Sequence, residues 1–146
     1  MDELDRRIVA ILQADGRASN AKIAREVGVS EGTIRRRLKR LVQQGLITVT
    51  AIVEPAKLGY QTEALIGVQV DPNRMDAVSS DLSKFREVSQ VSMATGAFDI
   101  FAWVNVRNAD ELGGFLKNKV GGVTGVRRTE TFVILGTPKR GYGVAL

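Results

Sequence analysis

Apolar side chains in the first 45 residues recur every three or four positions, which predicts helices. The first predicted helix ends near Gly16, and the second is capped by Ser19 and closed by Gly28. A third predicted helix spans residues 30–43. At about 100° per residue its apolar side chains form one narrow stripe, made of Ile34, Leu38, Leu41 and Val42.

Beyond Gly45 the period shortens to two. Residues 46–53 are rich in β-branched side chains and predict a strand that leads out of the helical segment. The later pattern predicts strands at 64–70, 88–94, 98–106 and 126–135, with helices at 74–85 and 109–120. This βαββαβ order is that of a ferredoxin-like domain. We therefore expect an α+β chain with a winged-helix-like helix-turn-helix domain at 1–50, a strand or linker at 51–61 and a ferredoxin-like domain at 62–146.

One face of the predicted sheet has no cover. In the strand at 98–106, alternation places Phe98 with Ile100 on the helix side, and Phe101 and Trp103 on the other side. An exposed aromatic patch usually marks an interface. We expect a homodimer that buries Phe101 and Trp103 between two sheets, the alternative being a monomer with a poorly covered sheet.

Charge and composition narrow the function. The 146-residue chain has a formal net charge of +5, and residues 1–45 hold ten Lys/Arg against six Asp/Glu. The chain contains no histidine and no cysteine, which excludes the usual hydrolytic triads and zinc sites, so we predict no enzyme activity, catalytic residue, metal or cofactor. No apolar run is long enough for a membrane span and the N-terminus is unlike a signal peptide, so we expect no membrane partner and a cytoplasmic location.

A three-residue turn, Gly28-Val29-Ser30, separates the second and third predicted helices. Its glycine can adopt a positive φ and its serine can cap the next helix, as in a helix-turn-helix. In that motif the second helix enters the major groove of double-stranded DNA. The turn therefore favours a DNA-binding function for the basic helix that follows it.

Five positive charges lie on that third helix. For an isolated charge run the ordinary alternative is a solvated helix face. Arg36 lies about 200° from Ile34, opposite the apolar stripe, so we expect Thr33 and Arg36 at base edges, with Arg40 beside them, and the flanking cations on phosphates. The predicted DNA-binding residues are Ser30, Gly32, Thr33, Arg35, Arg36, Arg37, Lys39 and Arg40.

Five segments spread over nearly the whole chain form a further pattern. They are LDRRIVAILQADGR near the N-terminus, IAREVGVSEGTIRRRLKRLVQQGLI across the turn, P-x-K-L-G at 55–59, T-G-x-F-D at 95–99 and RTETFVIL at 128–135. In these segments the chain resembles the Lrp/AsnC (feast/famine) family of transcriptional regulators. The resemblance implies dimerisation through the C-terminal domain, assembly to tetramers or octamers, association with the nucleoid and modulation by an amino acid. Gly32 departs from the family, which often has serine or proline there.

The resemblance also implies a site for a small amino-acid ligand, between dimers, near the turn at 96–99 and the last strand. Asp99 offers an anionic acceptor for an ammonium group, and the hydroxyls of Thr129 and Thr131 share a strand face and can donate to a carboxylate. The alternative is an ordinary turn in which the aspartate is a structural cap. The predicted effector-binding residues are Gly96, Ala97, Phe98, Asp99, Thr129 and Thr131.

Two other function classes use the same features. An architectural DNA-organising protein would bind many sites by charge and oligomeric shape, with little base readout and no effector. An amino-acid enzyme or RNA binder on the ferredoxin-like domain would need a catalytic constellation or an aromatic stacking motif, and neither is present in the sequence. The regulator is the function that the sequence favours.

Overall fold

The computed structural model describes residues 1–141 and 143–146, and they form two compact units. The first unit comprises Met1–Ile52 and Lys139–Leu146, and the second comprises Val53–Pro138. The C-terminal residues, which the sequence assigned to the second domain, are grouped with the first unit. There the Gln13 amide donates to the carbonyl of Val144 (2.7 Å) and accepts from the N–H of Leu146 (3.1 Å).

Three helices make up the first unit: α1 (Glu3–Ala14), α2 (Asn20–Val27) and α3 (Glu31–Gln43). The residue before each helix caps it: the side chains of Asp2, Ser19 and Ser30 each accept a hydrogen bond from a backbone N–H in the first turn of the helix that follows. Each cap satisfies one of the donors that a helix start leaves open. The apolar stripes of the helices meet in one core, whose buried members are Ile8, Ile23, Ala24, Val27 and Ile34.

Residues 46–53 do not form the predicted strand. Every residue between α3 and Thr62 is described, and none of them belongs to a strand. A strand needs a partner for its backbone groups, and β-branched composition does not supply one. Apolar side chains of this segment are consequently exposed, Val49 to 68% and Val53 to 64%.

The second unit has the predicted βαββαβ order. Its elements are β1 (Thr62–Val70), α4 (Met75–Ser83), β2 (Val88–Met93), β3 (Ile100–Val106), α5 (Ala109–Gly114) and β4 (Val126–Val133). All strand pairs are antiparallel and the sheet order is β2-β3-β1-β4, which confirms the ferredoxin-like arrangement. A short 3-10 helix, Pro55–Leu58, precedes the sheet.

Both helices of the second unit cover one face of the sheet. Val78 and Leu82 of α4 and Leu112 of α5 are buried against alternate residues of β1 and β3. The predicted helix at 109–120 is not uniform, because α5 continues as a π-helical turn, Phe115–Lys119, and a 3-10 turn, Val120–Gly122. Among the residues that the structure describes, no helix has the length and apolarity that a membrane crossing requires.

Aromatic side chains occupy the opposite face of the sheet. Gly67 on β1 pairs with Phe101 on β3, and a Cβ at Gly67 would lie 2.7 Å from the ring of Phe98. The Phe98 ring centroid is 5.8 Å from that of Phe101 and 6.3 Å from that of Phe132. The expectation that Phe98 lies on the helix side is therefore wrong. Phe98 precedes Ile100, the first residue of β3, and strand alternation does not extend into the turn.

Candidate nucleic-acid interface and ligand site

The turn between α2 and α3 has the geometry that the sequence predicts. Gly28 has φ +80°, and its N–H donates to the carbonyl of Ala24 (2.9 Å), which ends α2. Ser30 begins α3: its Oγ accepts from the N–H of Thr33 (3.2 Å) and lies 2.9 Å from the Thr33 hydroxyl. The polar start of α3 is thereby fixed beside the turn, where base-reading residues of a helix-turn-helix lie.

One side of α3 presents cations to solvent. Ile34 and Leu41 are buried in the first unit, whereas Arg35, Arg36 and Lys39 are exposed. Within the described part of the chain, none of these three cations is in an ion pair. Arg36 Nη2 lies 3.5 Å from the Thr33 hydroxyl oxygen, so that guanidinium is next to the polar start of the helix.

The other two cations of α3 turn toward α1. Arg37 Nη1 lies 2.5 Å from Asp2 Oδ2 and 2.8 Å from Asp5 Oδ1, and Arg40 Nη2 lies 2.6 Å from Asp5 Oδ2. The Asp5 side chain is only 1% exposed, whereas those of Arg37 and Arg40 are 24% and 47% exposed. These four side chains, called here the α1–α3 charge cluster, join the start of α1 to the middle of α3.

The two carboxylates of this cluster stay charged at neutral pH. The hydrogen bond from Arg37 lowers the pKa of Asp2 from 3.8 to about 2. Burial alone would raise the pKa of Asp5, but the hydrogen bonds from Arg37 and from the Asp2 backbone, with the charge of Arg40, lower it. The same two carboxylates raise the pKa of Arg37. Both acids are therefore ionised wherever the protein is near neutral pH.

Asp2 and Asp5 were missing from the predicted site. The sequence carries a signal for Asp5, because it stands three residues before Ile8 and four before Val9, on the side of α1 that becomes buried. A buried carboxylate requires a cationic partner. Sequence spacing does not reveal which of the five cations of α3 supply it.

In the second unit, the turn before β3 is held by backbone and side-chain hydrogen bonds. Asp99 donates its N–H to the carbonyl of Val68 (2.9 Å), and its Oδ2 accepts from the N–H of Val70 (2.9 Å). The amide of Gln69 donates to the carbonyl of Ala97 (2.8 Å), and Gly96 has φ +109°. Asp99 thus anchors the turn to β1, as expected for an aspartate that caps the turn structurally.

Beside this turn lies an open depression of about 590 Å³. Its lining includes Gly96, Ala97 and Asp99 of the predicted effector set, together with residues not predicted, which are Gln69, Val70, Asp71, Pro72, Asn73, Met75 and Arg127. The side chain of Phe98 is on the aromatic face instead. The acidic residues Asp71 and Asp99 and the basic residue Arg127 line it, so the depression presents both charge signs to a small polar molecule.

The two threonines lie apart from that depression. Thr129 pairs with Val68, and Thr131 pairs with Ile66, so both point to the helix side of edge strand β4. Because β1 separates β4 from β3, Thr129 is two strands from the turn, about 10 Å across the sheet. One protomer does not bring the threonines and Asp99 to the same small ligand.

The predicted dimer residues lie on the aromatic face. Phe101 pairs with Gly67, and Trp103 pairs with Leu65 on the adjacent strand β1. Phe101 and Trp103 are half-buried, and Phe132 on the same face is 42% exposed. Neither helix of the second unit covers this face, because both pack on the other one.

Known proteins match both parts of the chain. The AsnC-type helix-turn-helix domain matches residues 1–42, and the Lrp/AsnC ligand binding domain matches residues 63–144. The chain belongs to the Lrp/AsnC family. It is therefore a transcriptional regulator of the Lrp/AsnC type, with a helix-turn-helix unit followed by a ligand-binding domain.

Lrp/AsnC proteins of similar length match it from end to end. An uncharacterized HTH-type transcriptional regulator of Pyrococcus furiosus is 43% identical over 143 residues, which cover 97% of each chain. The structure of AsnC from E. coli matches with a TM-score of 0.90 and 32% identity, over 97% of each chain. A transcriptional regulator of Neisseria meningitidis, solved as a complex with L-Met, shares the fold with a TM-score of 0.88 and 22% identity, over 96% of this chain and 93% of its own.

Proposed function

We propose that this Lrp/AsnC regulator binds paired half-sites in double-stranded DNA as a homodimer, in the cytoplasm with the nucleoid. In this proposal α3 lies in the major groove, Thr33 and Arg36 contact base edges, and Arg35 and Lys39 contact phosphates. The observation that supports it is the exposed, unpaired set of Arg35, Arg36 and Lys39 beside the capped start of α3.

The roles of Arg36 and Lys39 separate in one experiment. The probes are a duplex selected by the wild-type protein from a random pool and a random-sequence duplex of equal length. Arg36→Ala should weaken binding to the selected duplex by about 1–3 kcal/mol, with a smaller effect on the random one. Lys39→Ala should weaken both alike and reduce the salt slope by about 0.9 per protomer.

Lys84→Ala is the matched control, because it removes an exposed lysine from the second unit, where Lys84 pairs with Asp81. It should leave both affinities unchanged. Equal losses on selected and random DNA for Arg36→Ala would contradict base readout and favour the architectural protein instead.

For the ligand-binding domain we propose an amino acid as the effector, bound at the depression beside Asp99. The Asp99 carboxylate would accept from the ligand ammonium. Thr129 lies about 10 Å away across the sheet and Thr131 lies further along β4, so their hydroxyls would reach the ligand from a neighbouring protomer in a tetramer or octamer. The ligand-binding family model supports a ligand in this domain, and the L-Met complex of the Neisseria regulator with the same fold supports its class.

Thermal unfolding with each of the twenty amino acids tests this proposal. A ligand present at 100 times its Kd should stabilise the protein by about 2.7 kcal/mol. Asp99→Asn keeps an oxygen that can accept from Val70 but removes the charge, so it should remove the shift without lowering the Tm of the unliganded protein much. A full ligand shift in Asp99→Asn would contradict the ammonium contact.

A further inference from the structure

We propose that Asp5 limits the sequence-independent affinity for DNA, and its salt dependence, by holding Arg37 and Arg40 away from the phosphates. It acts through these two arginines and is a positioning residue, which makes no DNA contact itself. In this arrangement α3 presents three cations to DNA rather than five. This inference rests on the proposed function of α3 as the DNA-reading helix.

The first support is the way Asp5 is held. Its Oδ2 accepts from the N–H of Asp2 (3.0 Å) and from Arg40, and its Oδ1 accepts from Arg37. Asp2 returns the contact, because its Oδ1 accepts from the N–H of Asp5 (2.8 Å). Each carboxylate thus serves the capping of α1 and the binding of an arginine at the same time.

The second support is burial. Asp5 is 1% exposed, so withdrawal of its arginines would leave a buried carboxylate without a cation. An uncompensated buried charge is strongly destabilising. A contact with phosphate would not offset this cost, because at the phosphate an arginine only replaces a solvated counterion. Arg37, which bridges two carboxylates and is only 24% exposed, is the more firmly held arginine. Arg40 is 47% exposed but lies 2.6 Å from the buried carboxylate.

The third support is the division of charge around α3. At about 100° per residue, Arg37 and Arg40 lie together on one flank of the helix, and Arg35 and Lys39 lie on the other. Arg36 lies between the flanks, opposite the buried stripe. Asp2 and Asp5 neutralise the flank with Arg37 and Arg40, whereas the rest of the exposed side stays cationic. The cationic surface of α3 is therefore narrower than the sequence suggests.

This division affects the strength of DNA binding, because phosphate contacts increase affinity for all sequences alike. Each cation that contacts a phosphate adds about 0.9 to the slope of log K against log salt concentration. With two arginines withheld, affinity for every sequence is lower and depends less on salt. Asp5 therefore limits the sequence-independent part of DNA binding.

Salt titrations with the full-length protein test this inference, on the selected duplex and on the random duplex. Lys39→Gln should reduce the slope by about 0.9 per protomer, whereas Arg40→Gln should leave it unchanged. Asp5→Asn should increase the slope by about 0.9 or more per protomer. A fourfold change in salt would then change the ratio of variant to wild-type affinity about 3.5-fold, or more, per protomer. Affinity for the selected and the random duplex should rise by a similar factor.

Asp81→Asn is the matched control for Asp5→Asn. It also removes one negative charge and one ion pair, that of Asp81 with Lys84, but in the second unit. It should leave the slope at the wild-type value. A similar slope increase in Asp81→Asn and Asp5→Asn would show an effect of net charge and would overturn the inference.

The outcomes for Arg40→Gln and Lys39→Gln distinguish this inference from the proposed function. If Arg40→Gln reduces the slope as Lys39→Gln does, Arg40 contacts phosphate and the inference is overturned while DNA binding by α3 stands. If neither variant changes the slope and Arg36→Ala keeps the wild-type affinity for the selected duplex, α3 does not bind DNA and both proposals fail. Arg40→Gln keeps the Asp5–Arg37 pair, so it can overturn the inference even if Asp5→Asn does not fold.

Discussion

Gly67 shows how a single residue shapes the uncovered face of the sheet. A Cβ at this position would lie 2.7 Å from Cγ of Phe98, and that ring can move aside only by giving up its packing against Phe101 and Phe132. We predict that Gly67→Ala destabilises the protein by about 1–3 kcal/mol, the usual effect of overpacking. Denaturant unfolding measures the change.

Gly113→Ala provides the comparison for Gly67→Ala. Gly113 lies in α5, and a Cβ there meets nothing within 4 Å. Alanine should therefore be neutral or stabilising by up to about 1 kcal/mol, because it favours the helix. Equal effects at the two glycines would contradict the steric account of Gly67, and relief of the Gly67→Ala loss by Phe98→Ala would support it.

Because of Asp2, the folding stability of the first unit should fall at acid pH. Its pKa is 3.8 ordinarily and about 2 in the folded protein, with the hydrogen bond from Arg37 as the main cause. A lowered folded-state pKa stabilises the folded state above pH 3.8, and this contribution is lost as pH falls toward about 2. The pKa of Asp5 is also lowered, so its contribution has the same sign.

We therefore predict that the carboxyl carbon of Asp2 titrates near pH 2 in wild type, and nearer pH 3.8 in Arg37→Gln, when it is followed by NMR. Arg35→Gln removes an equal charge from α3 without touching the cluster, so it should leave the titration near pH 2. A similar shift in both variants would mean that net charge, not the Arg37 hydrogen bond, sets the pKa of Asp2.

At the scale of elements, a glycine that ends α2 and a glycine in the first turn of α3 have opposite conformational demands. Gly28 has φ +80°, which is unfavourable for any residue with a Cβ, whereas Gly32 lies in the first turn of α3 with no neighbour closer than 3.9 Å to an added Cβ. We predict that Gly28→Ala destabilises the protein by about 1 kcal/mol and that Gly32→Ala stabilises it by up to about 1 kcal/mol. Thermal unfolding of both variants gives the signs, and a stabilising Gly28→Ala would contradict the left-handed end of α2.

The elements that sequence predicts well are those with a local cause. Periodicity gave the order of helices and strands, and the caps at Ser19 and Ser30 and the end at Gly28 are as expected, because each depends on neighbours within one turn. The strand at 46–53 failed because strand formation requires a partner that the single chain does not provide.

The sequence does not predict side-chain positions that a long-range contact decides. Helical angles place Arg40 near Arg36, but Asp5, 35 residues earlier in the chain, holds its guanidinium instead. Phe98 lies on the aromatic face because its turn, not the alternation of β3, sets its direction. The π-helical turn after α5 has a similar origin: Phe115 and Val120 are five residues apart and both buried, a spacing that a wider turn accommodates better than an α-helix.

At the scale of the whole molecule, the exposed surfaces of the two units differ in character. The first unit exposes cations on α3, whereas the second leaves an aromatic sheet face without a covering helix. The proposed binding of paired DNA half-sites requires two copies of α3, and hence a symmetric contact between two chains. The aromatic face, which includes Leu65, Phe101, Trp103 and Phe132, is the apolar surface of the second unit that can supply it.

We predict that Trp103→Glu separates the proposed homodimer. In the contact between two sheets, a glutamate here would be desolvated without a cationic partner. This should cost about 2–5 kcal/mol of dimerisation free energy, which raises the dimer Kd at least about 30-fold. Trp103 is half-buried at a position that pairs with Leu65, so the folded protomer should persist. Sedimentation velocity over a concentration series gives the Kd, and circular dichroism reports the fold.

Val42→Glu is the comparison for Trp103→Glu, because it places the same charge at an apolar side chain that is 48% exposed on α3 in the first unit. It should leave the dimer Kd unchanged in the absence of DNA. An intact dimer in Trp103→Glu would assign the symmetric contact to another surface, and loss of the dimer in Val42→Glu would point to α3. Loss in Trp103→Glu alone would show that the sheet face of the second unit brings two DNA-reading helices into one molecule.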